Sequence, residues 1–159
     1  MKQVWVIGSS GLLGSAMVRM LKGQGCDLFE PSERIAWRQE SMVDRQMAAA
    51  VREFANCAGS GPGWEIYWAA GIGTMGSSDA DLALETRMLG LLLRTIESIA
   101  DLVGQPGALA FASSAGAIYA GSRGDVIDER MPVAPTTPYA RAKLAQEDLL
   151  RAFAQTHNK

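Results

Sequence analysis

Cysteine and histidine are scarce in this chain: two of the first, Cys26 and Cys57, and one of the second, His157, in 159 residues. The two thiols stand in unrelated segments without CxxC spacing, so neither a disulfide framework nor a zinc constellation is expected, and two reduced structural thiols are the plain reading. Basic charge is not in excess either. Lys and Arg number 15 against 17 Asp and Glu, a formal net charge of −2, which leaves nucleic acid and anionic membrane surfaces without an electrostatic footprint. No apolar run approaches the roughly 18 residues that a membrane span demands. The first residues read as a strand and not as a signal peptide, so a cytoplasmic location is expected. With 48% hydrophobic residues at this length, there is apolar material for one core and not for two, so one domain over 1–159 is expected.

The most informative stretch is Val4-Trp5-Val6-Ile7-Gly8-Ser9-Ser10-Gly11-Leu12-Leu13-Gly14. Its β-favouring run gives a buried strand of a parallel sheet, and glycines at every third position then make a tight turn into a helix starting near Leu12. Gly8 allows the sharp turn, Gly11 allows a pyrophosphate to approach the main chain, and Gly14 allows close helix packing. The phosphates would meet unpaired N–H groups at the positive helix end. The spacing is GxxGxxG and not the usual GxGxxG, so alone the pattern also fits an ordinary βα turn.

Downstream, strand and helix alternate. Leu12, Leu13, Ala16, Met17, Met20 and Leu21 repeat at helical spacing until Gly23 and Gly25. A second strand is predicted over Cys26–Phe29, broken by Glu30-Pro31, and a third over Ile35–Trp37. A helix over Met42–Phe54 buries Val43, Met47, Ala50, Val51 and Phe54, and the Gly59–Gly63 cluster is a loop. Trp64–Ala70 reads as a fourth strand closing on Gly71-Ile72-Gly73. A long helix over Leu82–Val103 follows, with Ser78, Asp79 and Asp81 as cap and first turn, and then a fifth strand over Ala108–Ala112. Turn signals fill the loop from Gly116 to Thr137, and the last helix runs from about Pro138 to about Gln155. Strands regularly separated by helices predict an α/β, doubly wound parallel sheet with ligands at the carboxyl ends of its strands.

Ser113 and Ser114 directly follow the fifth strand. Tyr139 and Lys143 stand four apart on the last helix and share a face. A phenol is a poor base at neutral pH, and a nearby ammonium favours the phenolate. A serine hydroxyl beside the pair can orient a substrate oxygen and stabilise charge while hydride leaves or joins the adjacent carbon.

Four segments together carry a resemblance: Gly8–Gly14, Tyr67-Trp68-Ala69-Ala70-Gly71, Ser113-Ser114-Ala115-Gly116-Ala117-Ile118-Tyr119, and Pro135-Thr136-Thr137-Pro138-Tyr139-Ala140-Arg141-Ala142-Lys143-Leu144-Ala145-Gln146-Glu147. The chain resembles the extended short-chain dehydrogenase/reductase superfamily, in its NAD-dependent epimerase/dehydratase branch. The resemblance implies a Rossmann-like fold, NAD or NADP as cofactor, a nucleotide-activated sugar or similar hydroxyl substrate, and a homodimer. It implies Tyr139 as acid/base, Lys143 on the nicotinamide ribose, and Ser114, or alternatively Ser113, as the hydroxyl partner. The cofactor-binding residues it implies are Gly8, Ser10, Gly11, Leu12, Leu13, Gly14, Ser32, Arg34, Ala69, Ala70 and Gly71, with Tyr139 and Lys143.

The chain also departs from that pattern. Ser32, with Arg34 two residues on, stands where an acidic residue often meets the adenosine ribose, which leaves NAD and NADP both open. Trp37-Arg38-Gln39 occupies the stretch where an aspartate is frequent, and Arg87 takes the place of an asparagine. Family members run to roughly twice this length, so the fold is expected as a Rossmann-like sheet without the C-terminal strands and substrate portion. A non-catalytic dinucleotide-binding module is the alternative function. Ala142, Leu149, Leu150 and Phe153 form an apolar stripe that is either the face turned to the chain's own sheet or a surface for a second copy.

Overall fold

In the first strand, β1 (Gln3–Ile7), Val4 through Ile7 are buried on both faces of the sheet, as an unbroken apolar run requires. The computed structural model describes every residue except Arg38, Ser60, Ile72, Asp125, Asn158 and Lys159, together with all side chains of the rest but that of Glu40. Parts of three expected loops, Ser60, Ile72 and Asp125, therefore lie outside the described residues. The elements after β1 are α1 (Leu12–Gly23), β2 (Asp27–Phe29), α2 (Glu40–Ala58), β3 (Trp64–Trp68), α3 (Asp79–Glu97), α4 (Ala100–Val103), β4 (Gly107–Phe111), α5 (Ala115–Ile118) and α6 (Pro138–His157).

All strand pairs are parallel, in the order β2-β1-β3-β4. The chain leaves β1 for one side and returns through β3 on the other, so the order reverses between β1 and β3. The carboxyl ends of those two strands form the switch point of this Rossmann-like α/β sheet.

The chain divides into two compact units, Met1–Gly71 with Leu91–Ala112 and Ile72–Gly90 with Ser113–Lys159. In the first, α1 covers one sheet face, where Val4, Val6 and Leu21 pack with Met17, Val18, Leu28 and Tyr67. The opposite face holds an aromatic cluster in which Phe54 of α2 contacts Trp5, Phe29 and Trp64, with ring centroids 5.4–6.4 Å apart. The α2 stripe is as expected: Val43, Met47, Val51 and Phe54 are 0% exposed and Ala50 is 2% exposed.

Three expectations are corrected. Ile35–Trp37 is not a strand, so the sheet has four strands among the described residues and not five. The N–H of Ala36 donates to the Gln46 side chain (2.8 Å) where a ladder bond was expected, Ile35 is buried as a packing residue, and Trp37 meets Trp68 edge-on. The long helix is interrupted at Ser98–Ile99. There the Ser98 hydroxyl donates to the Thr95 carbonyl (2.7 Å) and its N–H is shared between Arg94 and Thr95, so local bonds compete with the helix ladder. The third correction is the short helix α5, which directly follows the two serines in a stretch expected to be loop.

The cap of α3 agrees with expectation, and α6 has a cap that the sequence reading did not name. Ser78 accepts the N–H of Asp81 (3.2 Å) and donates to its carboxylate (2.7 Å), and Thr137 caps α6 by accepting the N–H of Ala140 (3.1 Å), with Pro138 at the first helical position. No described helix is long and apolar enough to cross a membrane.

Candidate functional site

In the first unit the glycines do three different things. Gly8 has φ +88°, and a Cβ on it would lie 2.5 Å from the Ala70 nitrogen, so the turn closes directly onto the chain that leaves β3. The Ala69 N–H extends that contact by donating to the Ile7 carbonyl (2.9 Å). A Cβ on Gly14 would come 2.2 Å from the Gly8 carbonyl oxygen, so α1 packs on the turn itself. Gly11 differs. The nearest atom to its would-be Cβ is 3.4 Å away, an ordinary contact, so nothing among the described residues accounts for the absent side chain.

Gly11 is also the N-cap of α1, with no side-chain cap and no acidic residue in the first turn. Ser10 is exposed beside it, and the side chains of Leu12 and Leu13 are 93% and 49% exposed. An uncapped helix start with bare backbone is suited to an anion.

A cavity of about 500 Å³ begins at this turn. Gly8, Ser9, Ser10, Phe29, Glu30, Arg34 and Trp37 are among the residues that line it. Ser32 is committed elsewhere: its N–H and hydroxyl both donate to Glu53, at 2.9 and 2.6 Å, and hold that carboxyl below the usual range. Sequence reasoning missed Glu30, which directly follows β2 at its carboxyl end. Counting from Gly14 points to Ser32, whereas the strand end points to Glu30.

In the second unit, Ser113 and Ser114 part company. The Ser113 hydroxyl donates to Glu147, which also accepts from Arg151 (2.7 Å). Ser114 is the N-cap of α5 by its backbone, and its hydroxyl makes no cap bond.

Tyr139 is half-buried on α6, and the Lys143 Nζ lies 5.7 Å from its ring centroid. Lys143 is 6% exposed and donates to Glu85 Oε1 of α3 at 2.7 Å and to Gln146 Oε1 at 3.3 Å. Glu85 was also missed. It sits in the apolar series Leu82, Glu85, Leu89, Leu92, Ile96, all buried, and a carboxylate in a core stripe is the signal that could have found it. The inward face of α6 is thus Ala140, Lys143 and Gln146, while Leu149 stays 36% exposed and Ala142, Leu150 and Phe153 half-buried. No group of three or more His, Cys, Asp or Glu that could hold a metal occurs among the described residues.

Comparison with solved structures places this fold among known ones. UDP-glucose 4-epimerase of Thermus thermophilus, in complex with NAD, is 25% identical with a TM-score of 0.70, covering 98% of this chain and 52% of that one. RMD from Pseudomonas aeruginosa, complexed with NADPH, is 20% identical with a TM-score of 0.74, over 99% and 50%. UDP-glucose 4-epimerase from Brucella ovis, in complex with NAD, is 20% identical with a TM-score of 0.71, over 99% and 49%. At their identities the last two show a shared fold. The chain spans about half the length of these proteins. No curated protein matches it by sequence. The family model for the NAD dependent epimerase/dehydratase family matches residues 4–159, from the first buried strand through the helix of Tyr139 and Lys143, and the chain belongs to that family.

Proposed function

We propose that this chain supplies the dinucleotide-binding and proton-transfer parts of an NAD- or NADP-dependent epimerase, dehydratase or reductase acting on a hydroxyl of a nucleotide-activated sugar or a similar substrate. The observation that carries this reading is the β1–α1 turn, an uncapped helix start behind a glycine whose missing Cβ serves no packing purpose. A pyrophosphate fits there because unpaired N–H groups and the helix dipole favour an anion. The UDP-glucose 4-epimerases among the similar structures support a nucleotide sugar as substrate class.

Glu30 and Arg34 both line the cavity. A carboxylate suits a ribose with free hydroxyls and repels a 2′-phosphate, whereas a guanidinium suits the phosphate. With Glu30 at the strand end, NAD is expected to bind more tightly than NADP, and Glu30→Gln to narrow the gap. Calorimetry with both dinucleotides decides this, and tighter NADP binding by the wild type contradicts it.

When bound, the nicotinamide supplies an acceptor and donor of hydride. The chain's own residues handle orientation and the proton. The Tyr139 phenolate would take the proton of the substrate hydroxyl and, as the phenol so formed, return it; the Ser114 hydroxyl would hydrogen-bond the same oxygen, and the Lys143 ammonium would bind the ribose hydroxyls. Ser114 is preferred over Ser113 because the Ser113 hydroxyl is given to Glu147. In an enzyme containing this chain, Tyr139→Phe should remove most of kcat with little change in cofactor affinity. Lys143→Met should lower both, and the double variant should fall far from additivity. Near-full activity with Tyr139→Phe contradicts the assignment.

A homodimer is proposed through the half-exposed Leu149, Leu150 and Phe153 stripe, to be checked by light scattering of the wild type against Leu149→Glu. A second reading is a dinucleotide-binding module without turnover. Dinucleotide binding without turnover on any nucleotide sugar separates it from the first.

A further inference from the structure

The cluster around Lys143 contains an acid for which the proposed chemistry has no role. Glu85 is buried, its side chain 5% exposed against 8% for Lys143, and both of its oxygens are engaged. Oε1 accepts from the Lys143 ammonium at 2.7 Å, and Oε2 accepts the backbone N–H of Gly73 at 3.0 Å. Gln146, 1% exposed, braces the pair. Its carbonyl oxygen accepts from Lys143, and its amide nitrogen donates to Glu85 (3.4 Å) and to Thr86 (3.1 Å). A Cβ on Gly73 would lie 2.9 Å from Glu85 Oε2, 3.0 Å from Leu82 and 3.6 Å from the Tyr139 ring. Gly73, Glu85, Lys143 and Tyr139 are therefore one contiguous cluster.

A lysine has a long flexible stem and places its charge poorly unless something holds it. A buried ammonium also requires a counter-charge, since without one it is disfavoured by desolvation. Glu85 answers both needs, and with its second oxygen it ties that lysine to a backbone position two residues beyond Gly71 in the chain.

We propose that Glu85 is a positioning residue: it fixes the Lys143 ammonium and the Gly73 backbone on one carboxylate, so that the lysine meets the cofactor ribose in one geometry. This rests on the reading of Lys143 as a ribose-binding residue. A purely structural ion pair contributes to folding alone and leaves the effect of Glu85 on the cofactor independent of Lys143.

The test is calorimetric titration of NAD into the full chain, with urea unfolding as a check on folding. Glu85→Gln keeps the shape and an acceptor for Gly73 but removes the charge, and NAD affinity should fall about tenfold. Gly73→Ala displaces the carboxylate without altering its charge and should weaken NAD in the same direction, which keeps the test available should Glu85→Gln fail to fold. In a Lys143→Met background neither substitution should change the affinity more than about twofold, because the group they position is gone. Unchanged affinity in folded Glu85→Gln beside a loss in Lys143→Met overturns the proposal while leaving the site reading intact. A tenfold loss that persists in the Lys143→Met background reduces Glu85 to a structural role and overturns it too. Unchanged affinity in Lys143→Met removes the reading on which the proposal rests.

Discussion

Backbone makes the β1–α1 turn, whereas side chains make the cluster around Lys143. At the turn, the proposed binding capacity comes from N–H groups of an uncapped helix and from the absent Cβ of Gly11, while Gly8 and Gly14 allow the close packing that shapes it. Around Lys143 it comes from a buried carboxylate, an amide and an ammonium, contributed by α3 and α6, which lie far apart in sequence. The first kind of site is local and breaks by adding atoms. The second is distributed and breaks by removing them.

Substitutions can test that contrast, beginning with the largest effect. Glu85→Ala leaves a buried ammonium without its partner, and removing one member of a buried pair costs about 3–5 kcal/mol. Urea denaturation should show a loss of that order, and a loss below about 1 kcal/mol would mean that the pair is not buried as described.

Adding one methyl at Gly14 should cost about 1–3 kcal/mol, because the Gly8 carbonyl stands 2.2 Å from where the Cβ would be. Gly23→Ala is the control at the other end of the same helix. Nothing lies within 4 Å of its Cβ, so it should be neutral or stabilise by up to about 1 kcal/mol. Equal unfolding midpoints for the two alanine variants would remove the packing role of Gly14.

A smaller effect concerns the loop that borders the cavity. Ser32 holds the Glu53 carboxyl below its ordinary 4.5, through its hydroxyl first and its N–H second. A depressed folded value means that the contribution is present above 4.5 and is lost as pH falls through the lowered value. Because this contact is solvent-exposed and screened, Ser32→Ala should cost no more than about 0.5 kcal/mol at neutral pH, and less as the medium becomes acidic below that range. A pH-independent difference between variant and wild type contradicts the link.

The two regions also differed in how far they could be read in advance. The turn was legible because its chemistry is encoded by consecutive residues: an apolar run, glycines at fixed spacing and a helical repeat after them. The bounds of β1, α1 and α6, and the buried stripe of α2, followed from the same local rules. The spurious strand at Ile35–Trp37 shows the limit, since an apolar triplet becomes a strand only if a neighbour offers a ladder, and there Gln46 takes the Ala36 N–H. The break at Ser98 turned on one hydroxyl choosing a local carbonyl.

Pairings across the sequence were hidden. Glu85 and Lys143 are 58 residues apart, and Ser113 and Glu147 are 34 apart. An acid in the stripe of Leu82, Leu89, Leu92 and Ile96 announced that something must neutralise it, but not which cation. Glu30 stands at the end of β2 and lines the cavity, two residues before the Ser32 position that counting from Gly14 marks.

Dinucleotide binding at the β1–α1 turn is the claim on which the rest depends. Gly11 is the position to test, because its Cβ would meet only an ordinary 3.4 Å contact and the fold should tolerate a larger residue. NAD is titrated calorimetrically into the wild type and into Gly11→Val, with circular dichroism recorded on both. The account predicts saturable binding by the wild type and none by the variant, with matching dichroism spectra. Superimposable titrations of the two proteins, or no binding by the folded wild type to either NAD or NADP, would contradict it.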